Sequence, residues 1–207
     1  MLKVAVVDSG INAGHSHIGR VGGGISFVSE TWNDQLGHGT AVAAAIHDHE
    51  PQVELYAVKI FDRSFSTDID AVVKALEWCA ENRMDVVNLS FATAKHSHGD
   101  LMKEVSQRMP ILVAPYEFIG LPSFPGSFPW VFGVKPDTEC TRAEIRSSAD
   151  RAFMASPLPR TIPGLPVEQN FQGSSFAVAN FTGLICREMI EHDIGGPDEL
   201  RARLRLR

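Results

Sequence analysis

With 207 residues, 44% of them hydrophobic and 21% charged, the chain is long enough for one domain around one sizeable core. A net charge of -6 argues against a nucleic-acid partner, and no apolar run is long enough to cross a bilayer. Cys79, Cys140 and Cys186 are odd in number and widely spaced, which argues against a disulfide framework or a zinc site.

Met1 leads directly into the apolar run Lys3-Val4-Ala5-Val6-Val7 without a secretory signal, so a reducing, cytoplasmic compartment is expected. A mature fragment of a longer precursor would read the same way. The first strand is expected over Leu2–Val7, followed by a helix over about Thr40–His47 and a strand over Val53–Val58. A helix capped by Thr67 then carries Ile69, Val72, Val73, Leu76 and Cys79 at helical spacing. Further strands are expected at Asp85–Leu89, Ile111–Ala114 and Val131–Val134, with a helix over Asp100–Arg108. The stretch Ser156–Gln172 holds four prolines and reads as a loop, a plausible wall for whatever follows it. Helices over Ser175–Glu191 and Pro197–Leu206 complete the chain, the last with Arg201, Arg203, Arg205 and Arg207 complementing its dipole. Cys79 and Cys186 fall within apolar helical patterns and read as buried thiols. Strands rich in Val, Ile and Leu on both faces, alternating with helices, indicate a single α/β domain over 1–207. Its three layers are a mostly parallel central sheet and the helices that flank it.

Three motifs carry chemistry. Val6-Val7-Asp8-Ser9-Gly10 puts a carboxylate at the carboxyl end of a buried strand, where parallel sheets present ligand-facing groups. Gly37-His38-Gly39-Thr40 opens a helix with small residues behind it, so the histidine is held rigidly yet can exchange protons. Gln172-Gly173-Ser174-Ser175-Phe176-Ala177 opens another, with Ser175 beside free backbone N–H groups able to stabilise an oxyanion. Each motif alone also fits an ordinary turn, loop or helix cap. Together, in the order Asp, His, Ser, they match one convergent arrangement of the catalytic triad on an α/β fold.

The three motifs resemble the signatures of the subtilisin-like peptidase family. Leu55–Lys59, Met84–Ser90 and Phe124-Pro125-Gly126-Ser127-Phe128-Pro129 resemble its internal strands and its Tyr-Pro-x-x-Tyr-Pro segment. The resemblance implies a serine endopeptidase acting on a peptide or protein, with Asp8, His38 and Ser175 as triad and no cofactor. It also implies one substrate wall at Leu89-Ser90-Phe91-Ala92 and another at Ala114, Pro115, Tyr116 and Ser123. The Ser175 N–H would be one oxyanion donor.

The chain departs from the family pattern in four places. Where relatives place an Asn whose amide donates to the oxyanion, the residues are Pro115-Tyr116-Glu117-Phe118, leaving Glu117 (if protonated) or the Tyr116 hydroxyl as substitutes. The connection after the His38 helix is too short for the family's calcium loop, so no calcium is expected there. No pro-segment is recognisable, and Ser156–Gln172 does not match closely. The absent Asn favours a rival reading, a pseudopeptidase that binds peptides or a partner; an intact triad argues against it.

Three His-x-His pairs, His15/His17, His47/His49 and His96/His98, could each hold a metal on an extended segment. They lack a third ligand nearby, apart from Asp48 and Glu50, and polar surface loops explain them. A metal hydrolase built on these pairs would leave the triad signatures as coincidence. A trimmed domain suggests limited processing of a specific substrate; oligomeric state is not encoded in any pattern found.

Overall fold

The structure is a computed structural model that describes residues 1–205. Its strands are β1 (Lys3–Asp8), β2 (Val21–Ser26), β3 (Glu54–Lys59), β4 (Val86–Leu89), β5 (Ile111–Pro115), β6 (Glu117–Phe118), β7 (Leu121–Pro122), β8 (Phe132–Pro136), β9 (Ile145–Ser147) and β10 (Phe153–Ala155). The helices are α1 (His38–His49), α2 (Ile69–Glu81), α3 (His96–Ser106), α4 (Ser174–His192) and α5 (Pro197–Arg205). Eight strands form one sheet in the order β2-β3-β1-β4-β5-β8-β10-β9, all parallel except β9, while β6 and β7 form a separate hairpin.

Alternation along β1 divides the core. Val4 and Val6 point into a cluster with Ile46, Phe132, Phe153 and Phe181, on the face covered by α1, α4 and α5. Ala5 and Val7 point the other way, toward Leu76, Val87, Leu89 and Met102 under α2 and α3. Helices on both faces explain why the central strands are predominantly apolar, with Asn88 in β4 and Lys59 in β3 among the buried polar exceptions. The three expected layers are therefore present, and the central strands lie where the apolar runs place them.

Several local expectations need correction. Asp68, not Thr67, occupies the N-cap of α2, and the Thr67 hydroxyl is buried without a hydrogen-bond partner. Helix α3 begins at His96, because the chain leaves its extended conformation at Lys95 rather than further on. The basic residues of α5 do more than complement a dipole. Arg203 pairs with Glu188 at 2.8 Å, and the Arg201 guanidinium lies 3.9 Å from the Phe132 ring centroid. The expected end of this helix, Leu206, and Arg207 lie outside the described residues.

Asn180 fastens the loop 156–172 to α4. Fully buried, it donates to the carbonyls of Ser156 (2.9 Å) and Leu158 (2.8 Å), and its Oδ1 accepts from His49 Nε2 at 2.9 Å. Since Oδ1 can only accept, Nε2 carries the proton. Burial, together with the nearby Arg142 and Arg187 charges, lowers the His49 pKa below 6.5 despite the Asn180 bond. An unfolded chain therefore takes up a proton that the native state refuses, and stability should fall as pH drops below 6.5. His49→Gln, which keeps a donor but cannot titrate, should flatten that part of the profile. Thermal melts of both proteins over a pH series check this; identical slopes would rule it out.

Candidate active site

The site begins where β1 ends. Asp8 is fully buried at the carboxyl end of the strand, and its Oδ1 accepts from the Ser9 N–H at 2.6 Å. His38, the first residue of α1, brings Nδ1 to 2.8 and 2.9 Å from the two Asp8 oxygens. A carboxylate only accepts, so Nδ1 carries the proton and Nε2 is left as the ring's basic nitrogen. The two motifs interlock through their glycines. A Cβ on Gly39 would lie 2.2 Å from the Gly10 carbonyl, and one on Gly10, at φ +103°, would lie 2.2 Å from that of Trp32. Burial opposes charge on His38, but the Asp8 hydrogen bond and the negative charges of Asp8 and Asp34 outweigh it and raise its pKa above 6.5.

Asp34, four residues before His38, is the organiser that the motifs did not reveal. Its carboxylate accepts from Ser9 Oγ (2.9 Å), the N–H groups of Leu36 (3.0 Å), Gly37 (2.9 Å) and Thr40 (2.8 Å), and Thr40 Oγ1 (2.6 Å). Ser9 Oγ in turn accepts from the Gly39 N–H at 2.9 Å, and Thr40 Oγ1 accepts from the Asn12 N–H at 3.0 Å. The segment bearing Asp8 and the helix bearing His38 are thus tied through one side chain. The one hint in the sequence is an Asp in a turn-forming stretch just before a helix, which many surface turns share.

Ser175 is the second residue of α4 and is half-buried. The helix is entered through Gly173 at φ +127°, a conformation that L side chains rarely adopt. Hydrogen bonds to the Gly173 carbonyl begin with the N–H of Phe176, so the N–H groups of Ser174 and Ser175 at the helix start are left to point outward. Among the described residues no hydrogen bond joins Ser175 Oγ to His38. The two are brought together through the next residue, Phe176, whose ring lies 5.4 Å from the imidazole. Two more rings approach the imidazole edge-on, Phe65 at 5.0 Å and Phe171 at 5.6 Å.

The expected substrate walls lie side by side. Thr93, just past Ser90-Phe91-Ala92, bridges Phe124 through hydrogen bonds of 2.8 and 3.2 Å. Ser90, Phe91 and Ala92 are half-buried and open toward solvent. Ala114, Pro115 and Ser123 are buried, and the Ser123 hydroxyl donates to the Pro115 carbonyl at 2.8 Å, so they shape their wall from behind.

Comparison with known proteins agrees with this geometry. The subtilase family model (peptidase S8) matches residues 1–114, a stretch that includes Asp8 and His38. The chain belongs to the subtilase family. It is 28% identical over 227 aligned residues to the minor extracellular protease Epr of Bacillus subtilis, covering 98% of this chain and 35% of Epr. Against subtilisin E of Bacillus subtilis the identity is 32% over 204 residues, covering 88% of this chain and 52% of the relative. The chain thus spans only about a third to a half of the length of these two curated relatives. A solved cold-adapted subtilisin-like serine proteinase has the same fold, with a TM-score of 0.76 at 20% identity over 97% of this chain and 80% of that one.

Tyr116 and Glu117, the two candidate oxyanion donors, each have a partner elsewhere in this subtilase. The Tyr116 hydroxyl donates to the Asp150 carbonyl at 3.2 Å, and Glu117 faces Lys135 Nζ at 3.3 Å. Both are committed to the β8–β10 side of the sheet. Between β6 and β7 the chain turns through Ile119 and Gly120, both at positive φ. Two of the three His-x-His pairs fall on helices rather than on extended segments. His47 and His49 sit on α1, where residues two apart point in different directions, and His96 and His98 lie in the first turn of α3. Among the described residues the one group of three ligand-type side chains that converges is Glu188, Glu191 and His192, and Glu188 is already paired with Arg203. Cys79 and Cys186 are buried as read, which pushes both thiols far up, and Cys140 is pushed up to about 11.

Replacing Asp34 by Asn removes a negative charge that raises the His38 pKa and weakens the acceptor that holds Ser9 and Thr40. The His38 titration midpoint, followed by NMR of the ring protons, should move down relative to wild type. An unchanged midpoint in a folded variant would remove Asp34 from the electrostatics of the site.

Proposed function

We propose that this subtilase is a serine endopeptidase with Asp8, His38 and Ser175 as its triad. The observation that carries the reading is the His38 imidazole, fixed through Nδ1 by both oxygens of a buried Asp8 while Nε2 stays free beside the start of α4. Ser175 Oγ attacks the peptide carbonyl as His38 Nε2 takes its proton. The N–H of Ser175 stabilises the tetrahedral oxyanion, and His38 then delivers the proton to the departing amine. Water repeats the sequence on the acyl-enzyme. Catalytic hydrogen bonds commonly tighten only in the substrate complex, so the unmade Ser175–His38 bond is compatible with this role.

The substrate is a peptide or protein segment lying extended along Ser90-Phe91-Ala92. Two exposed phenyl rings, Phe65 and Phe171, crowd the approach to His38, which supports limited processing over bulk digestion. Unselective, rapid degradation of casein would contradict this.

One observation favours a second reading. Tyr116 and Glu117 are engaged elsewhere, so neither candidate is free to act as a second oxyanion donor, and loss of such a donor costs roughly 10²–10³ in turnover. A pseudopeptidase that binds peptides in the same cleft would have that property. A fluorophosphonate probe separates the two. One added probe mass on wild type, absent from Ser175→Ala, is expected for the peptidase; folded wild type that takes up none would support the binding module. The labelling rate should rise with pH through a midpoint above 6.5, because the raised His38 pKa keeps the base protonated below it.

A further inference from the structure

We propose that the cavity between α1 and the loop 156–172 binds an apolar side chain from the leaving-group half of the substrate, within a few residues of the scissile bond. The inference rests on the endopeptidase reading and adds to it the side of the cleft that selects the substrate. The cavity encloses about 590 Å³, larger than any one side chain and within the range of specific binding pockets.

Its position assigns the half of the substrate. Two rings from different connections contact His38. Phe65 comes from the connection between β3 and α2, and Phe171, just before α4, both meets His38 and lines the cavity. The expected acyl-side walls follow β4 and β5, whereas the cavity is lined by α1 and the loop 156–172. In the proposed reaction the acyl half stays on Ser175, while the amine departs with a proton from His38. The part of the substrate that continues past His38, away from the acyl walls, is therefore the leaving half.

The lining decides the chemistry. Ala41 and Ala44 on α1 are small and leave the space open, and Leu36, Ile162, Leu165 and Phe171 supply apolar surface around it. Ile162 and Phe171 are 38% and 40% exposed, so that surface meets solvent in the free protein. Three of the polar groups that line the cavity, Arg160, Asp34 and Asn170, are already occupied. Arg160 pairs with Asp48 at 3.2 Å and donates to the His17 carbonyl at 3.3 Å, and Asp34 is saturated by its own turn. Asn170 donates to the Arg160 carbonyl and accepts from the Phe171 N–H. A charged substrate group would have to displace these bonds, whereas an apolar side chain only removes hydrocarbon from water.

The test is a peptide library randomised on both sides of the bond, read by sequencing the new amino termini. Two fluorogenic peptides follow, identical except for Leu or Gly at the preferred leaving-side position. Wild type should enrich Leu, Ile, Phe or Met among the first three residues released, and cleave the Leu peptide about ten-fold or more faster than the Gly peptide. Ala41→Phe, which fills the cavity, and the double variant Ile162→Ser/Leu165→Ser, which strips apolar surface from an exposed loop, should each bring that ratio toward one. The double variant guards against a misfolded Ala41→Phe. A wild-type ratio near one, a preference for charged residues, or a ratio that survives in both folded variants would overturn the cavity proposal and leave the peptidase reading standing. Wild type that neither cleaves nor labels with fluorophosphonate would overturn the peptidase reading and this proposal with it.

Discussion

The Asp34 carboxylate is the constraint on which the site depends. Five donors from two segments converge on it, and through Ser9 and Thr40 they set the distance between the end of β1 and the start of α1. That distance permits the two short contacts from His38 to Asp8. The glycines follow from the same closeness, because backbones this near leave no room for a Cβ at Gly10 or Gly39. A buried Lys59 secures the turn from beneath. Its ammonium donates to the Asn33 carbonyl at 3.0 Å and pairs with Asp62 at 2.9 Å, linking the turn before His38 to the connection that carries Phe65. One chain of polar contacts therefore fixes His38, Asp8 and one of the rings that flank the imidazole.

A second anchor governs the other side. Asn180, one and a half turns into α4 from Ser175, holds the beginning of the loop 156–172 by two carbonyls and meets His49 at the end of α1. The helix that presents Ser175, the helix that presents His38 and the loop that carries Phe171 are thereby tied at one buried amide. Shifting any of them changes the cavity and the seat of the imidazole together, so recognition on that side and catalysis are mechanically linked.

What was legible in the sequence were features with a strong local signature. The runs ending at Asp8, Lys59, Leu89 and Pro115 are predominantly apolar because helices cover both faces, and they stand out for that reason. The three motifs were legible because their glycines and small residues answer to tight backbone contacts. Strand β2 escaped because Val21-Gly22-Gly23-Gly24 has almost no apolar periodicity; it is an edge strand held by pairing with β3. Strands β9 and β10 are three residues each, too short for a pattern. Asp34 and Asn180 were missed for a different reason. Their roles come from partners far away in the chain, such as Ser9 and His49, and no local spacing announces a long-range acceptor. Tyr116 and Glu117 were read as donors by elimination, and distant partners at Asp150 and Lys135 take them away.

The ring environment of His38 and the proposed oxyanion site bear on each other. Phe65, Phe171 and Phe176 crowd the imidazole, which disfavours its charged form, yet the proposed reaction passes through that charged form. Asp8 and Asp34 supply the compensating negative charge, and in a water-poor setting their effect is strengthened. In the proposed reaction the cation is thus well supported, whereas the oxyanion would rely on backbone N–H groups at the start of α4. An enzyme with that imbalance gains from substrate contacts remote from the reacting carbonyl, because such contacts can hold the carbonyl against the donors that remain. A recessed apolar cavity on the leaving side is well placed for that. It would make turnover depend on the sequence after the scissile bond, so a substrate lacking the anchoring side chain should lose kcat as well as affinity.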